Sequence, residues 1–229
     1  MAEPPRIKTF HPRRGRITPS QARGLRDHAA RWLLVPDRRP LDLESEFGPG
    51  VPVVLEIGFG MGEATVDLAS AEPGRGVLAV DVHTPGVGQL LAGIGSRGLT
   101  NVRVMQGDAV EVVQDMIAPA SLSGVRIFFP DPWPKSRHHK RRLVQPPFVS
   151  LLCSRMAPGA FLHCATDWLP YAEQMVAVLS ASPGLTRSSI RDDDVLERPL
   201  ARPLTRFEQR GIARGHRVVD LVFTRTLDT

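Results

Sequence analysis

The chain has 229 residues, of which 42% are hydrophobic and 23% are charged, as in an ordinary folded protein. This length predicts one domain with a sizeable core. No window approaches the roughly 18 uninterrupted apolar residues of a membrane span, and the first residues lack the apolar segment of a secretion signal. We therefore expect a cytoplasmic protein that does not interact with a membrane, and we expect Cys153 and Cys164 to be buried free thiols.

Positive charge is concentrated in two segments of the chain. Residues 1–40 carry ten Arg or Lys against three acids, a net charge of +7, and residues 135–142 carry five cations and no acid. Because the whole chain has a formal charge of only +5, the remainder is acidic. Two basic segments on an acidic protein predict electrostatic capture of a phosphate backbone.

Residues 1–45 are rich in Arg and Pro, with a short helical pattern over 19–34, and are predicted to form a flexible or loosely docked basic arm. From residue 51 onward, apolar strands alternate with helical patterns, so 46–229 is predicted to be an α/β domain. Residues 190–211 break this rhythm and are predicted to form a long functional loop. Strands are predicted at 51–57, 76–81, 101–106, 125–129, 160–165, 185–189 and 217–224. Helices are predicted at 62–70, 87–96, 110–118, 143–156 and 169–180. This alternation predicts a doubly wound, mostly parallel sheet of about seven strands.

A glycine-rich turn follows the first of these strands. Its glycines, Gly58, Gly60 and Gly62, follow a G-x-G-x-G pattern, whereas a dinucleotide fingerprint requires its third glycine where Glu63 stands. Glu56 and Glu63 would repel a pyrophosphate. The acidic turn therefore favours a cationic ligand such as S-adenosylmethionine.

Acidic residues end the next three strands, where ligands of such sheets bind. Asp81 is placed to accept hydrogen bonds from ribose hydroxyls, and Asp108 lies within reach of an adenine amine. Asp131 ends the fourth strand, where cofactor and substrate are expected to meet. Pro130 and Pro132 restrict the backbone on either side of it and thereby fix the direction of its carboxylate.

Trp133 follows this turn and is predicted either to offer a face on which a base can stack or to be an aromatic residue of the core. The cations after it are predicted to hold phosphates, with two histidines as part of the same surface and no metal site. The surface comprises Lys135, Arg137, His138, His139, Lys140, Arg141 and Arg142.

These segments resemble the bacterial tRNA (guanine-N7-)-methyltransferases, a class I family that depends on S-adenosylmethionine and has a Rossmann-like sheet. The similarity spans nearly the whole chain. It rests on residues 15–21, 56–62, 82–88, 128–133 (F-F-P-D-P-W), 140–142, 165–172, 202–211 (R-P-L-T-R-F-E-Q-R-G), 215–216 and 220–221. The resemblance implies a sheet whose last strand is antiparallel, and the guanine of the tRNA variable loop as the target.

The resemblance also implies roles for individual residues. It places Glu56, Asp81, Asp108 and Asp131 on the cofactor side, with Asp131 as the catalytic residue. The implied substrate side comprises Lys135, Asp167, Thr205, Arg206, Phe207 and Glu208, and the implied RNA-contacting run is 137–142. Asp81 departs from the expected Glu by one methylene, which would give a looser or water-mediated contact with the ribose.

The chemistry of guanine N7 agrees with this assignment. N7 carries an unprotonated lone pair at neutral pH, so catalysis requires positioning and electrostatics rather than a strong base. Asp131 would stabilise the cationic product, and Asp131 and Asp167 could accept from N1–H and the 2-amino group. The alternatives are a methyltransferase of the same fold acting on another RNA or a small molecule, and a non-catalytic RNA-binding module. We expect tRNA as the partner, no obligate partner protein, and a monomer or homodimer.

Overall fold

The computed structural model describes residues 7–10, 15–188, 202–213, 215 and 217–226. The strands are β1 (Leu33–Leu34), β2 (Val53–Ile57), β3 (Gly76–Asp81), β4 (Val102–Gln106), β5 (Leu122–Phe128), β6 (Met156–Thr166), β7 (Leu185–Arg187) and β8 (Val219–Arg225). The α-helices are α1 (Pro19–Trp32), α2 (Leu43–Phe47), α3 (Glu63–Ala71), α4 (Thr84–Arg97), α5 (Ala109–Asp115), α6 (Pro146–Arg155), α7 (Leu169–Ser180) and α8 (Arg206–Ile212). A 3₁₀ helix spans Ser136–Arg141.

Within the described residues, the strands form one sheet in the order β1-β4-β3-β2-β5-β6-β8-β7. Strand β8 is antiparallel to both of its neighbours, and the other pairings are parallel. The predicted doubly wound sheet with an antiparallel last strand is therefore confirmed. An eighth strand, the two-residue β1, is too short to have been recognised as a pattern. The chain order reverses between β2 and β5, which opens a crevice at their carboxyl ends.

The sheet is buried on both faces. Leu55, Leu78 and Val125 belong to the larger apolar cluster, which includes residues of α5, α6 and α7. Val77 and Val104 belong to a second cluster on the opposite face, with residues of α1 and α4. Side chains alternate between the faces of a strand, so continuous apolar runs are required for burial on both sides.

Helix α1 packs tightly against α4, which differs from the predicted loosely docked arm. A capping box between Thr18 and Gln21 starts the helix. Gly24 lies against α4 so closely that an added Cβ would approach the carbonyl oxygen of Gly88 at 2.1 Å. Trp32 is 6% exposed at the helix end. The division into an arm at 1–45 and a domain at 46–229 stays a prediction.

The segment predicted as a long loop over 190–211 contains all but the last residue of helix α8. Thr205 caps this helix, because its Oγ1 accepts a hydrogen bond of 3.1 Å from the backbone N–H of Glu208. Residues 189–201 lie outside the described part of the chain.

Cys153 and Cys164 are buried and free, as predicted, and burial raises the pKa of Cys164 to about 12. In the ranges that the structure describes, the helices are too short or too polar to cross a bilayer.

Candidate active site

A cleft lies at the carboxyl ends of the strands, where the chain order reverses. It brings together five residues predicted from the sequence to bind the cofactor: Gly58, Gly60, Asp81, Asp108 and Asp131. The rest of the wall includes Thr9, Phe10, His83, Phe128, Phe129, Pro130 and Leu143. Topology explains this convergence, because parallel strands end at the same edge of a sheet.

The glycine-rich turn contributes Gly58 and Gly60 to the wall of the cleft, whereas Gly62 packs against Leu90 outside it. Gly58, Gly60 and Gly62 all have φ in the left-handed region, at +79°, +59° and +78°, which favours glycine at each position. An added Cβ at Gly58 or Gly60 would meet nothing within 4 Å, so the space beside these peptides is open. A ligand can therefore approach the backbone closely.

Asp81 joins this turn to the end of β3. Its Oδ2 accepts a hydrogen bond of 2.8 Å from the N–H of Gly60, and its Oδ1 accepts one of 3.0 Å from the N–H of His83. Burial raises the pKa of Asp81, although these two hydrogen bonds oppose the shift. The carboxylate both shapes the turn and lines the cleft.

Asp108 also has a structural contact, because its carboxylate caps helix α5 by accepting from the N–H of Val110 at 3.0 Å. It lines the cleft as well. The predicted ribose and adenine contacts of Asp81 and Asp108 are therefore compatible with their positions.

Glu56 lies in β2, two residues before Gly58 at the start of the glycine-rich turn. Its side chain is 3% exposed, and it is absent from the residues that line the cleft. Burial raises the pKa of Glu56 to about 7, against the opposing effects of the neighbouring Thr65 hydroxyl and the charge of Arg126. Its Oε2 has no hydrogen-bond partner among the described residues. The cofactor contact that the resemblance implies for Glu56 stays a prediction.

Asp131 is half-buried in a turn with two unusual residues. Phe129 and Trp133 have φ of +51° and +45°, in a region that non-glycine residues rarely adopt. Such strain is found preferentially at functional sites. It brackets the residue predicted to be catalytic.

The predicted stacking role of Trp133 is wrong. Its side chain is 3% exposed, and its Nε1 donates a hydrogen bond of 3.1 Å to the carbonyl oxygen of Thr9. The guanidinium of Arg141 lies 4.0 Å from the ring centroid and occupies its face. The aromatic side chains on the cleft wall are instead Phe10, Phe128 and Phe129.

The basic run is divided between the surface and the interior. Lys135, Arg137 and Lys140 are exposed, and His138, His139 and Arg141 are half-buried. Arg142 is 2% exposed, donates to the carbonyl oxygens of Pro132 and Pro170, and stacks on Tyr171. Burial lowers the pKa of Arg142, and Tyr171 opposes the shift. This burial corrects the prediction that Arg142 contacts RNA.

The chain is similar in sequence to known methyltransferases. Residues 51–221 match a family profile described as "Putative methyltransferase". The tRNA (guanine-N(7)-)-methyltransferase of Streptomyces avermitilis is 54% identical over 220 residues, which cover 96% of this chain and 76% of that protein. The protein of the same name from Paracidovorax citrulli is 52% identical over 225 residues, which cover 98% and 89%. The chain belongs to the tRNA (guanine-N(7)-)-methyltransferase family.

Solved structures support the fold of this methyltransferase. The 16S rRNA methyltransferase KamB superimposes with a TM-score of 0.57 at 18% identity, covering 81% of this chain and 91% of that one. TrmN from Thermus thermophilus gives a TM-score of 0.55 at 17% identity, covering 90% and 48%. At these identities the similarity establishes a shared class I methyltransferase fold.

The residues predicted for the substrate side of the methyltransferase differ in position and burial. Phe128 pairs with Ala165, so Asp131 and Asp167 leave adjacent strands at the same edge of the sheet. Thr205 is half-buried at the start of α8. Glu208 is only 2% exposed and forms an ion pair with the buried Arg202, and its implied substrate contact stays a prediction. The side chains of Arg206 and Phe207 lie outside the described part of the methyltransferase.

The structure also brings forward residues without a predicted role. Arg202, Asp220 and His163 form a buried polar cluster beside Glu208. The available signal was an ionisable residue within an otherwise apolar strand, as at Asp220 and His163. Phe10 gave no such signal, because it lies in the Arg- and Pro-rich segment outside the predicted strands and helices. Across the described ranges, the methyltransferase has no cluster of three or more His, Cys, Asp or Glu suited to a metal ion.

Proposed function

We propose that this chain transfers a methyl group from S-adenosylmethionine to N7 of a guanine in the tRNA variable loop, in the cytoplasm and without an obligate partner protein. The observation that supports this best is the convergence of Asp81, Asp108 and Asp131 on one cleft. This arrangement combines groups suited to an adenosine with a strained acidic turn. Exposed Lys135, Arg137 and Lys140 follow the turn in sequence.

The cleft fits S-adenosylmethionine, which supplies an electrophilic methyl group on a sulfonium ion when it is bound. The open peptides of Gly58 and Gly60 admit close contact with it. Asp81 would accept hydrogen bonds from the ribose hydroxyls, and Asp108 would accept one from the adenine amine. The negative charge of these carboxylates favours a cationic ligand over a pyrophosphate.

Asp131 would act on the target base. Guanine N7 needs no general base, so the main contributions are orientation of the base and stabilisation of the positive charge that develops on it. A carboxylate held in a strained turn is already aimed before the substrate arrives. Asp167 would read the Watson–Crick edge of guanine, which adenine cannot match, with a discrimination of roughly 1–3 kcal/mol.

The exposed cations would hold the RNA. Lys135, Arg137 and Lys140 project to solvent from the segment that follows Asp131. N7 lies in the deep, narrow groove of an A-form helix, so the target guanine must be in an accessible loop. Phosphate contacts at these cations would position such a loop over the cleft.

The test is transfer of labelled methyl from S-adenosylmethionine to a tRNA transcript by the purified chain. The matched control is the same transcript with its variable-loop guanine replaced by adenine. Label on the first transcript alone would support the proposal. Label on both would move the target within the tRNA. Label on neither, with cofactor binding intact, would direct attention to another RNA or a required partner.

A further inference from the structure

Arg202 lies in a buried ion-pair cluster with Glu208 and Asp220. Its Nη1 and Nη2 donate to the two carboxylate oxygens of Glu208 at 2.7 and 2.8 Å. Its Nε and Nη2 donate to the two oxygens of Asp220 at 2.7 and 2.8 Å. All three residues are at most 2% exposed.

Only arginine can make this arrangement. The rigid guanidinium presents two edges, and each edge here holds one carboxylate through two hydrogen bonds. A lysine ammonium has three donors at a single point and cannot bridge two carboxylates in this way. Burial lowers the pKa of Arg202, but the bonds to Glu208 and Asp220 outweigh that effect and raise it, so the cation stays charged.

The same guanidinium faces the segment that carries Asp131. Its central carbon lies 5.7 Å from the ring centroid of Phe128 and 5.5 Å from that of Phe129. Phe129, with its φ of +51°, is separated from Asp131 by Pro130 alone. Contacts to these two rings therefore support the start of the strained turn.

A second route joins the cluster to the sheet. His163 Nε2 lies 2.7 Å from Asp220 Oδ1, and the ring of Phe128 meets His163 edge to face at 4.9 Å. Arg202, Asp220, His163 and Phe128 thus form a closed ring of contacts. The strands β5, β6 and β8 supply three of its members, which makes it a rigid anchor.

On the other side, the cluster fixes helix α8. Glu208 belongs to the first turn of this helix, and its backbone N–H is the group capped by Thr205. Holding the Glu208 carboxylate therefore also holds Thr205. The segment from Thr205 to Glu208 is the one that the sequence resemblance predicts to lie on the substrate side.

We propose that Arg202 is a positioning residue that fixes the Asp131 turn and the Thr205–Glu208 segment relative to each other. This inference rests on the role of Asp131 in the proposed function and on the substrate-side role that the resemblance implies for Thr205. A buried ion pair is weak evidence for stability, since its desolvation cost offsets much of its attraction. Its value here is geometric, because misplacing a reacting group by about 1 Å can cost roughly 100-fold in rate.

The test compares Arg202→Lys with Arg103→Lys in the full chain. Arg103 is a matched control, because it pairs with Glu46 and stacks on Phe47 at 5.5 Å but lies in β4 away from the cluster. Measured quantities are kcat and KM for tRNA, the Kd for S-adenosylhomocysteine, and the folded fraction at the assay temperature. We expect Arg202→Lys to lower kcat by about 10- to 100-fold with an unchanged Kd, and Arg103→Lys to retain the wild-type kcat.

Wild-type kcat in folded Arg202→Lys overturns the inference, as does an equal loss in Arg103→Lys. If Arg202→Lys does not fold, Asp220→Asn is the second variant, and it should show the same loss of kcat with an unchanged Kd. Wild-type kcat in Asp220→Asn would then overturn the inference. Asp131→Asn is assayed in parallel. Undiminished turnover in that variant refutes the proposed site, whereas its loss alongside a fully active Arg202→Lys refutes only the positioning role.

Discussion

Arg142 Nε donates a hydrogen bond of 2.8 Å to the carbonyl oxygen of Pro132, so the last cation of the basic run holds the turn that carries Asp131. Its Nη1 donates to Pro170 at 3.3 Å and also to Gln174, which ties the turn to helix α7. The geometry of the turn therefore depends on a residue of the same short segment to which phosphate contacts are assigned in the proposed function.

Replacing Arg142 should destabilise the protein. In Arg142→Met, the carbonyl oxygens of Pro132 and Pro170 lose the donors of the buried guanidinium, and we expect the free energy of unfolding to fall by roughly 2–4 kcal/mol. Urea unfolding measures this change. Arg137→Met is the control, because Arg137 is exposed and its replacement should alter stability by less than about 0.5 kcal/mol. Equal unfolding midpoints for the two variants would contradict the assignment.

Replacing the exposed cations should instead weaken RNA binding. For the double variant Arg137→Gln and Lys140→Gln, we expect a higher KM for tRNA and an unchanged Kd for S-adenosylhomocysteine. The slope of log K against log salt should become shallower by roughly 0.7–0.9 for each phosphate that the variant no longer neutralises. Arg75→Gln serves as the control, since Arg75 precedes β3 and therefore lies at the amino ends of the strands, opposite the cleft. A salt slope identical to that of the wild type would remove these cations from the RNA interface.

Asp131→Asn should nearly abolish turnover. The amide keeps the size of the side chain but cannot stabilise positive charge on the methylated base, and we expect kcat to fall by at least about 100-fold. Single-turnover methyl transfer at saturating cofactor measures the chemical step. Calorimetry with S-adenosylhomocysteine is the companion measurement and should show binding within a few-fold of the wild type. A rate close to that of the wild type would exclude Asp131 from catalysis.

Glu56 should make stability depend on pH. Its pKa is about 7 in the folded protein against 4.5 as the ordinary value, so the folded state binds this proton more tightly. The resulting stabilisation is complete below about pH 4.5 and is lost as pH rises through about 7, a change on the order of 3 kcal/mol. Glu56→Gln mimics the protonated form, and its advantage over the wild type should grow between pH 5 and 8 in urea unfolding. Parallel pH profiles for the two proteins would contradict this.

The seam between α1 and α4 should not tolerate a methyl group. In Gly24→Ala, the added Cβ would lie 2.1 Å from the carbonyl oxygen of Gly88, so the helices must separate, at a cost of roughly 1–3 kcal/mol. Gly74→Ala is the control, because a Cβ there meets nothing within 4 Å and the φ of Gly74 is not in the left-handed region. Thermal unfolding compares them, and equal Tm values would mean that α1 docks loosely.

The sequence predicted those features that depend on local pattern and on strand order. Alternating strands and helices indicated the parallel sheet, and acids at successive strand ends indicated the residues of the cleft. The sequence did not show which side chains in a run of similar residues point inward and which point to solvent. Lys140 and Arg142 are both cations of one segment, yet the 3₁₀ turn that brings the N–H of Arg142 to the carbonyl of His139 directs Arg142 inward.

Long-range contacts account for the other differences. The packing of α1 requires Gly24 to contact Gly88, which is 64 positions away in the chain. No pattern in the sequence around either glycine indicates this contact. Trp133 could equally have been a core or a surface aromatic, and its burial depends on Thr9 and Arg141. Glu208 lies in a family motif whose sequence gives no indication that Arg202 and Asp220 enclose its carboxylate.

The tight packing of α1 against α4 also fixes the distances between the arginines of α1 and the cleft. Because Gly24 and Gly88 fix this helix to α4, its exposed Arg23, Arg26 and Arg31 stand at constant distances from the Asp131 cleft. A 14-residue helix is roughly 21 Å long, so these three charges occupy fixed positions along that length. An RNA that contacts both helix α1 and the cleft must have a fixed distance between the two contacting parts. This requirement favours a folded RNA over an isolated loop of the same sequence.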